Sequence, residues 1–407
     1  MILGAGVYSV IGAGAAKAGG SLWLSFLISS LVVSLTAFSY AELGTLFPEA
    51  GAEYVYLRKA FPRIRVLGFV TALLVALSGA ATAATVSMAF SGYLQQFVEF
   101  PEWVASLSLL ISLGIIAMIG IQESSWVNIF FTLVEAAGLV LFIGLGIQAP
   151  EFGSVVFETP NAGIFTGAAL VFFSFLGFEN IANLTEEAKD AGKSLPIAIV
   201  ISLVVTSFLY VLVALAAVAL ASVESLSQSA SPLATAAKAS SPLIAKTLSG
   251  VALFATANTA LISLIVTSRI LFSISRKGEL PKALQKTLTK RKTPWIATLI
   301  VLSVSTAFLP LGKIDIVASV SSLASLIAFA SVNVSVIVLR FIQPKTKRVF
   351  RVPFSIGKLP VVPVLGLLCI LALMTQFEIL TYGIGAVAIA VFILFYFILP
   401  KQQKSET

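Results

Sequence analysis

The sequence predicts an all-α integral membrane protein: twelve transmembrane helices arranged as two inverted five-helix repeats, with helices 1 and 6 broken, plus two C-terminal helices. Three observations carry this reading. Hydrophobic residues make up 58% of the chain and charged ones 11%, against about 25% charged in soluble domains. Apolar stretches of about 20 residues, long enough to cross a bilayer, recur from one end of the chain to the other. Glycine-interrupted stretches stand five segments apart, at Gly4 and Gly6 and again at Gly177. Such interruptions at matching positions of two halves point to an inverted repeat with a site at the bilayer midplane.

The first segment, residues 1 to 16, opens Met1-Ile2-Leu3-Gly4-Ala5-Gly6-Val7-Tyr8. Its two glycines lower helix propensity and let backbone N–H groups be approached closely. Taken alone, the pair reads first as a helix-packing contact. Segments follow at 21 to 46, 66 to 94, 103 to 121 and 126 to 148, completing a first repeat over 1–148. The second repeat, 162–341, comprises segments at 162 to 183, 195 to 221, 246 to 275, 295 to 311 and 314 to 341. In its first member, Phe172-Phe173-Ser174-Phe175-Leu176-Gly177-Phe178-Glu179, a glycine and a carboxylate interrupt an aromatic run. Helices 11 and 12 occupy 359 to 377 and 379 to 399, and residues 400–407 form a tail.

With the first segment running outward, all but four of the 26 Lys and Arg fall on cytoplasmic connections or ends. Only Lys17, Lys238, Lys246 and Lys313 lie outside. The positive-inside rule therefore places both termini in the cytoplasm of a cell-membrane protein. This asymmetry also accounts for the net charge of +8, so no nucleic-acid partner is expected. Trp23, Trp103, Trp126 and Trp295 each open a segment, where an amphipathic ring suits the headgroup level. The outer connection Ser222 to Ala245 and the inner one bearing Lys282, Lys286, Lys290, Arg291 and Lys292 both read as short surface segments. No basic n-region or small-residue cleavage site marks a signal peptide at the start.

Composition also removes chemistry. There is no histidine, and the single cysteine, Cys369, lies in an apolar stretch. Imidazole catalysis, a Cys/His metal site and an intrachain disulfide are thereby excluded. No phosphate-cradling loop is present, so no cofactor and no enzyme activity are expected.

Several motifs in order resemble the amino acid, polyamine and organocation transporter superfamily. They are Gly4-Ala5-Gly6-Val7-Tyr8, Ser39-Tyr40-Ala41-Glu42-Leu43 with Pro48-Glu49-Ala50-Gly51-Ala52-Glu53-Tyr54, and Phe175-Leu176-Gly177-Phe178-Glu179. Further matches are Glu186-Glu187 with Leu195-Pro196-Ile197-Ala198-Ile199, and Ser268-Arg269 with Gly278-Glu279-Leu280-Pro281. The resemblance covers residues 1 to about 285, and the later helices agree in number and spacing. It implies a LeuT-like fold and a secondary transporter that moves a small amino acid or amine by alternating access. It also implies that Gly4, Ala5 and Gly6 offer N–H groups to a substrate carboxylate, which suits the positive end of a half-helix starting near Val7. The amine would face carbonyls freed around Phe175 and Leu176 beside Gly177, and Phe173 would be the aromatic that closes over the substrate.

Two membrane carboxylates read differently. Glu179 lies at the start of a half-helix, where N–H groups stabilise negative charge. Glu135 lies midway along helix 5 with no cation near it in sequence, a carboxyl poised to gain and lose a proton as the cavity opens to either side. Some proton-coupled relatives carry a lysine at this position. Glu135 is therefore the expected proton-coupling group, together with Glu179. The alternative is a sodium-like cation held by Glu135 with hydroxyls of Thr256, Ser263 or Thr267. Only Met1, Ile2 and Leu3 precede Gly4, where family members carry a cytoplasmic half-helix, so a start upstream is expected.

Glu42, Glu49 and Glu53 with Arg58, Lys59, Arg63 and Arg65 are expected to shape an inner loop, pairing with Arg269 or Arg276 as a gate. Asn258, Thr259 and Ser263 in helix 8 and Thr82, Thr85 and Ser87 in helix 3 are candidates to line the cavity. The expected substrate is a neutral amino acid. The alternatives are a cationic amino acid or polyamine carrier, which a second carboxylate in the cavity would favour, and a transport-inactive membrane sensor or scaffold.

Overall fold

The computed structural model describes residues 3–49, 51–120, 125–154, 159–183, 191–289 and 291–399. The Glu186-Glu187 motif, Met1, Ile2 and the 400–407 tail lie outside them. The chain is a helix bundle with one two-stranded hairpin. Helix α1 (Gly6–Ala18) passes through a 3-10 turn at Gly19–Ser21 into α2 (Leu22–Leu46), followed by α3 (Ala52–Ala60), α4 (Arg65–Leu94), α5 (Glu102–Ile119) and α6 (Ser125–Ile147). Helix α7 (Gly163–Val171) runs into a 3-10 turn at Phe172–Phe175, and after a break comes the short α8 (Asn180–Asn183). Then follow α9 (Ala191–Leu220), α10 (Val223–Gln228), α11 (Pro232–Lys238), α12 (Pro242–Arg276), α13 (Trp295–Phe308) and α14 (Ile314–Ile342). The strands β1 (Ser355–Ile356) and β2 (Leu359–Pro360) precede α15 (Val361–Met374) and α16 (Ile379–Ile398).

Among the described residues, eight helical stretches are long and apolar enough to cross a membrane. They include Gly6–Leu46, Arg65–Leu94, Pro242–Arg276 and Ile314–Ile342. Shorter apolar helices run over Gly163–Phe175, Trp295–Leu311 and Val361–Met374. Helix starts follow local chemistry. The Ser241 hydroxyl caps α12 by accepting the Ile244 N–H at 3.3 Å, and Pro242 fills the first turn where no N–H is needed. Trp23, Trp103 and Trp295 each stand within the first two residues of a helix.

Helix α4 is the centre of the bundle, packed against α12 and α14, while α2 lies along α9 and α1 along α7. In lipid such contacts rest on close approach and hydroxyl bonds rather than on hydrophobic transfer. Ser25 and Ser29 of α2 donate to the carbonyls of Ile164 and Ala168 in α7, at 2.8 and 2.7 Å.

Two expectations are corrected. The Ser222 to Ala245 connection is not a surface segment: it folds into α10 and α11, whose Leu226, Leu233, Ala234, Ala236 and Ala237 are buried. Gly12 of α1 lets it seat, because a Cβ there would lie 2.5 Å from the Leu226 carbonyl oxygen and 2.7 Å from Pro232. At the opposite, basic end, Glu42 pairs with neither Arg269 nor Arg276, whose side chains are exposed. Its carboxylate, 1% exposed, takes Nε and Nη2 of Arg340 at 2.8 and 2.5 Å and the Val352 N–H at 2.8 Å, with Arg348 Nε in ion-pair contact at 2.9 Å. Glu49 reaches Lys277 at 3.9 Å, and Glu53 accepts the Tyr40 hydroxyl at 2.9 Å.

These two buried acids lead to opposite expectations. Glu42→Gln leaves two guanidinium groups facing a neutral amide, and should lose about 3–5 kcal/mol in denaturant unfolding in detergent. Burial instead pushes the Glu53 carboxyl above its ordinary range. A group whose folded pKa is raised stabilises the fold at low pH, and that contribution is lost as pH rises through the folded value. Glu53→Gln keeps the acceptor for Tyr40 without the charge. It should therefore raise the melting temperature at pH 7.5, with the gap over wild type closing toward pH 5.

Candidate functional site

The interruption after α7 is a backbone event. Leu176 is extended (ψ 144°) and Gly177 has φ +115°, a conformation that L side chains rarely adopt. The freed Gly177 N–H is taken by the Glu179 carboxylate at 2.8 Å, so the acid placed after the break closes it. Glu179 is 8% exposed.

The start of α1 meets this break directly. A Cβ on Gly6 would fall 2.5 Å from Ser174 Cα, so glycine is what allows the start of α1 and the 3-10 turn after α7 to cross in contact. The Ala5 N–H donates to Thr259 Oγ1 of α12 at 3.2 Å, and Ser9 returns a hydroxyl bond to the Ala5 carbonyl at 2.8 Å. The Gly4 backbone lies against the Tyr210 hydroxyl of α9.

A cavity opens beside this crossing. Leu3, Leu176, Gly177, Glu179 and Asn180 form one side, Val75, Ser78, Gly79 and Thr82 of α4 a second, and Thr132 of α6 a third. Helix α12 supplies Asn258, Thr259, Ile262, Ser263, Val266, Thr267 and Ile270. Among the described residues Glu179 is the one ionisable side chain in this wall; the other polar groups are hydroxyls and amides.

Of the residues picked from sequence, Leu176, Gly177, Glu179, Thr82, Asn258, Thr259, Ser263 and Thr267 are brought together here. Gly4, Ala5 and Gly6 form the adjoining crossing rather than the wall. Phe173 and Phe175 are in the core, with Phe175 packed on Tyr210 and Phe26 at ring-centroid distances of 5.4 and 6.3 Å. Glu135 is 2% exposed and stands just behind the wall, its side chain accepting Asn258 Nδ2 at 3.4 Å and its backbone carbonyl the Tyr8 hydroxyl at 3.4 Å. Thr256 spends its hydroxyl on the Ala252 and Leu253 carbonyls of its own helix. Thr85 and Ser87 do the same on α4.

Apart from Thr82, the residues named from sequence do not include the hydroxyl cluster between α4 and α14. Ser78 contacts Ser321 and Ser325 of α14 at 2.9 and 2.7 Å, and Thr82 contacts Ser321 at 2.8 Å. The signal was available: Val75, Ser78, Gly79 and Thr82 follow helical i, i+3, i+4, i+7 spacing and so share one face.

A bundle of apolar helices, with the stretch after α7 interrupted beside a polar cavity, suits a membrane carrier of small molecules. The amino acid permease family profile matches residues 1–407, and the chain belongs to that family. It is 27% identical to the branched-chain amino acid permease BcaP of Bacillus subtilis (strain 168), over 99% of this chain and 90% of that protein. It is 28% identical to the methylthioribose transporter of the same organism, over 99% of this chain and 91% of that protein. Identity to the vacuolar cationic amino acid transporter 4 of Arabidopsis thaliana is 27%, over 84% of this chain and 61% of that protein. The family and these relatives are transporters, not enzymes.

The crossing gives a stability test. Gly6→Val should destabilise the fold by about 1–3 kcal/mol, because the atom it meets is backbone and cannot swing away. Gly250→Ala, inside α12 where an added Cβ meets nothing within 4 Å, should not lower the melting temperature in detergent and should raise it slightly, since alanine favours a helix over glycine.

Proposed function

We propose that this chain is a secondary transporter of neutral amino acids, working by alternating access in the cell membrane and driven by protons. The observation that carries the reading is the cavity at the crossing of the two interrupted segments, with one buried carboxylate in its wall and a second just behind it. In this reading twelve spans form two inverted repeats, 1–148 and 162–341, followed by two further helices, and both termini are cytoplasmic. The packing of α1 on α7, α2 on α9 and α4 on α12 supports it, since these are the first with the sixth span, the second with the seventh and the third with the eighth. Helices α10 and α11 pack over α1, while the wall continues along α12 to Ile270 toward the basic end.

The substrate carboxylate is assigned to N–H groups at Gly4, Ala5 and Gly6, with Thr259 yielding the Ala5 N–H as substrate enters. The amine is assigned to the carbonyls around Phe175 and Leu176 beside Gly177, with Phe173 closing above. A single carboxylate in the wall among the described residues favours a neutral substrate over a cationic one. Glu135 is assigned the coupling proton, which Asn258 links to the wall, with Glu179 as its companion.

The test is uptake of labelled branched-chain, small neutral and cationic amino acids and of methylthioribose into proteoliposomes, with and without an inward proton gradient. Uptake of a neutral amino acid should rise when the outside is acidified. Glu135→Gln should abolish that gradient-driven component while sparing substrate exchange, and pH-driven uptake unchanged in the variant would refute the proton assignment.

A further inference from the structure

The segment between α14 and α15 carries features that transport does not use. From Gln343 to Pro360 it holds five basic side chains, Lys345, Lys347, Arg348, Arg351 and Lys358, and no acidic one. Arg348 is committed to Glu42. The other four are exposed, and none has an acidic partner among the described residues. Apolar side chains stand out beside them: Val349 is 68% exposed, Phe354 78% and Ile356 74%.

This face is held outward by a rigid inner one. Phe350 stacks on Phe38 of α2 with ring planes 7° apart, Val352 donates its N–H to Glu42, and Arg340 Nη1 reaches Ser355 Oγ at 3.5 Å. The hairpin pairs Ser355 with Pro360 and Ile356 with Leu359, turning at Gly357. Phe354 itself has φ +55°, a conformation bulky residues avoid, and its carbonyl is fixed by the Val361 N–H at 2.9 Å. Strain of this kind persists only where the surroundings impose it, and here it turns a large aromatic away from the protein.

We propose that residues 343–360 form a binding site for anionic phospholipid, with Phe354 and Ile356 seated among acyl chains and Lys347, Arg351 and Lys358 on headgroup phosphates. The occupant follows from charge and depth. Apolar side chains alternating with unpaired cations suit the headgroup boundary of a negatively charged leaflet, and the segment joins two apolar helices whose exposed flanking residues include Phe341, Ile342 and Leu359. Because the same segment clamps Glu42 at the end of α2 and Arg340 at the end of α14, lipid bound here would stiffen that clamp. The inference rests on the membrane reading of the fold and is independent of the substrate and of the driving ion.

The test is native mass spectrometry of the purified full chain, titrated with phosphatidylglycerol or phosphatidylcholine in detergent without substrate, so failure of transport would not obscure it. Wild type should bind phosphatidylglycerol preferentially, and 0.5 M salt should weaken that preference. The Lys347→Gln, Arg351→Gln, Lys358→Gln triple variant should lose affinity about tenfold or more. Phe354→Ser with Ile356→Ser should shorten lipid retention while keeping the headgroup preference. Changing Lys282, Lys286 and Arg291 to Gln in the other basic connection should leave binding as it was. No preference for phosphatidylglycerol in wild type would overturn the proposal, as would an equal loss from the two triple variants.

Discussion

A backbone N–H or C=O released where a helix breaks inside a bilayer needs a partner from the protein or a polar cavity, because lipid offers none, and this constraint organises the molecule. The interruption at Leu176 and Gly177 is tolerated because Glu179 takes the freed Gly177 N–H. The start of α1 is tolerated because Thr259 takes the Ala5 N–H and Ser9 bonds the Ala5 carbonyl. Each solution recruits another element: α12 through Thr259, α9 through Tyr210 and α6 through the contact of Tyr8 with Glu135. The polar cavity is where these satisfied groups converge, so the features that make the site also hold the bundle at its centre.

The two ends of the bundle are closed by different physics. At the basic end the closure is electrostatic, with Glu42 gathering Arg340, Arg348 and the Val352 N–H into one buried cluster. Such a cluster tolerates little displacement, since a partner lost leaves an uncompensated buried charge. At the other end α10 and α11 sit on nearly bare backbone at Gly12, and a Cβ on Gly92 of α4 would likewise lie 2.1 Å from the Ala230 carbonyl oxygen. Exposed Lys17 and Glu378 add an ion pair at 2.8 Å beside that closure, and the lysine holds the Glu378 carboxyl below its usual range.

Much of this was legible in the residues, and what was not has identifiable causes. Helices came from run length, and the sixth-segment interruption from a glycine set between aromatics, because only glycine enters the φ region seen at 177. The faces of Phe172 to Phe175 were not legible: that stretch is a 3-10 turn, which advances about 120° per residue instead of 100°, so helical spacing misplaces its side chains. The Glu42 partners lie 298 and 306 positions away, beyond any local pattern. The α10 and α11 cap looked like surface because alanine and serine give little hydropathy, and its burial is set by absent side chains on α1 and α4.

The wiring of α1 also bears on how the chain is made. Its earliest backbone groups are satisfied by Tyr210 and by Thr259, which leave the ribosome long after Gly6 does. At a synthesis rate of roughly 5–20 residues per second, the wait for Thr259 is on the order of ten to fifty seconds. Throughout that interval the first segment holds polar backbone without its final partners, so it must lodge in the insertion machinery or the headgroup zone before it takes its place. Biogenesis of the first half is thus hostage to delivery of the second, and a nascent chain stalled before α12 would leave α1 incomplete.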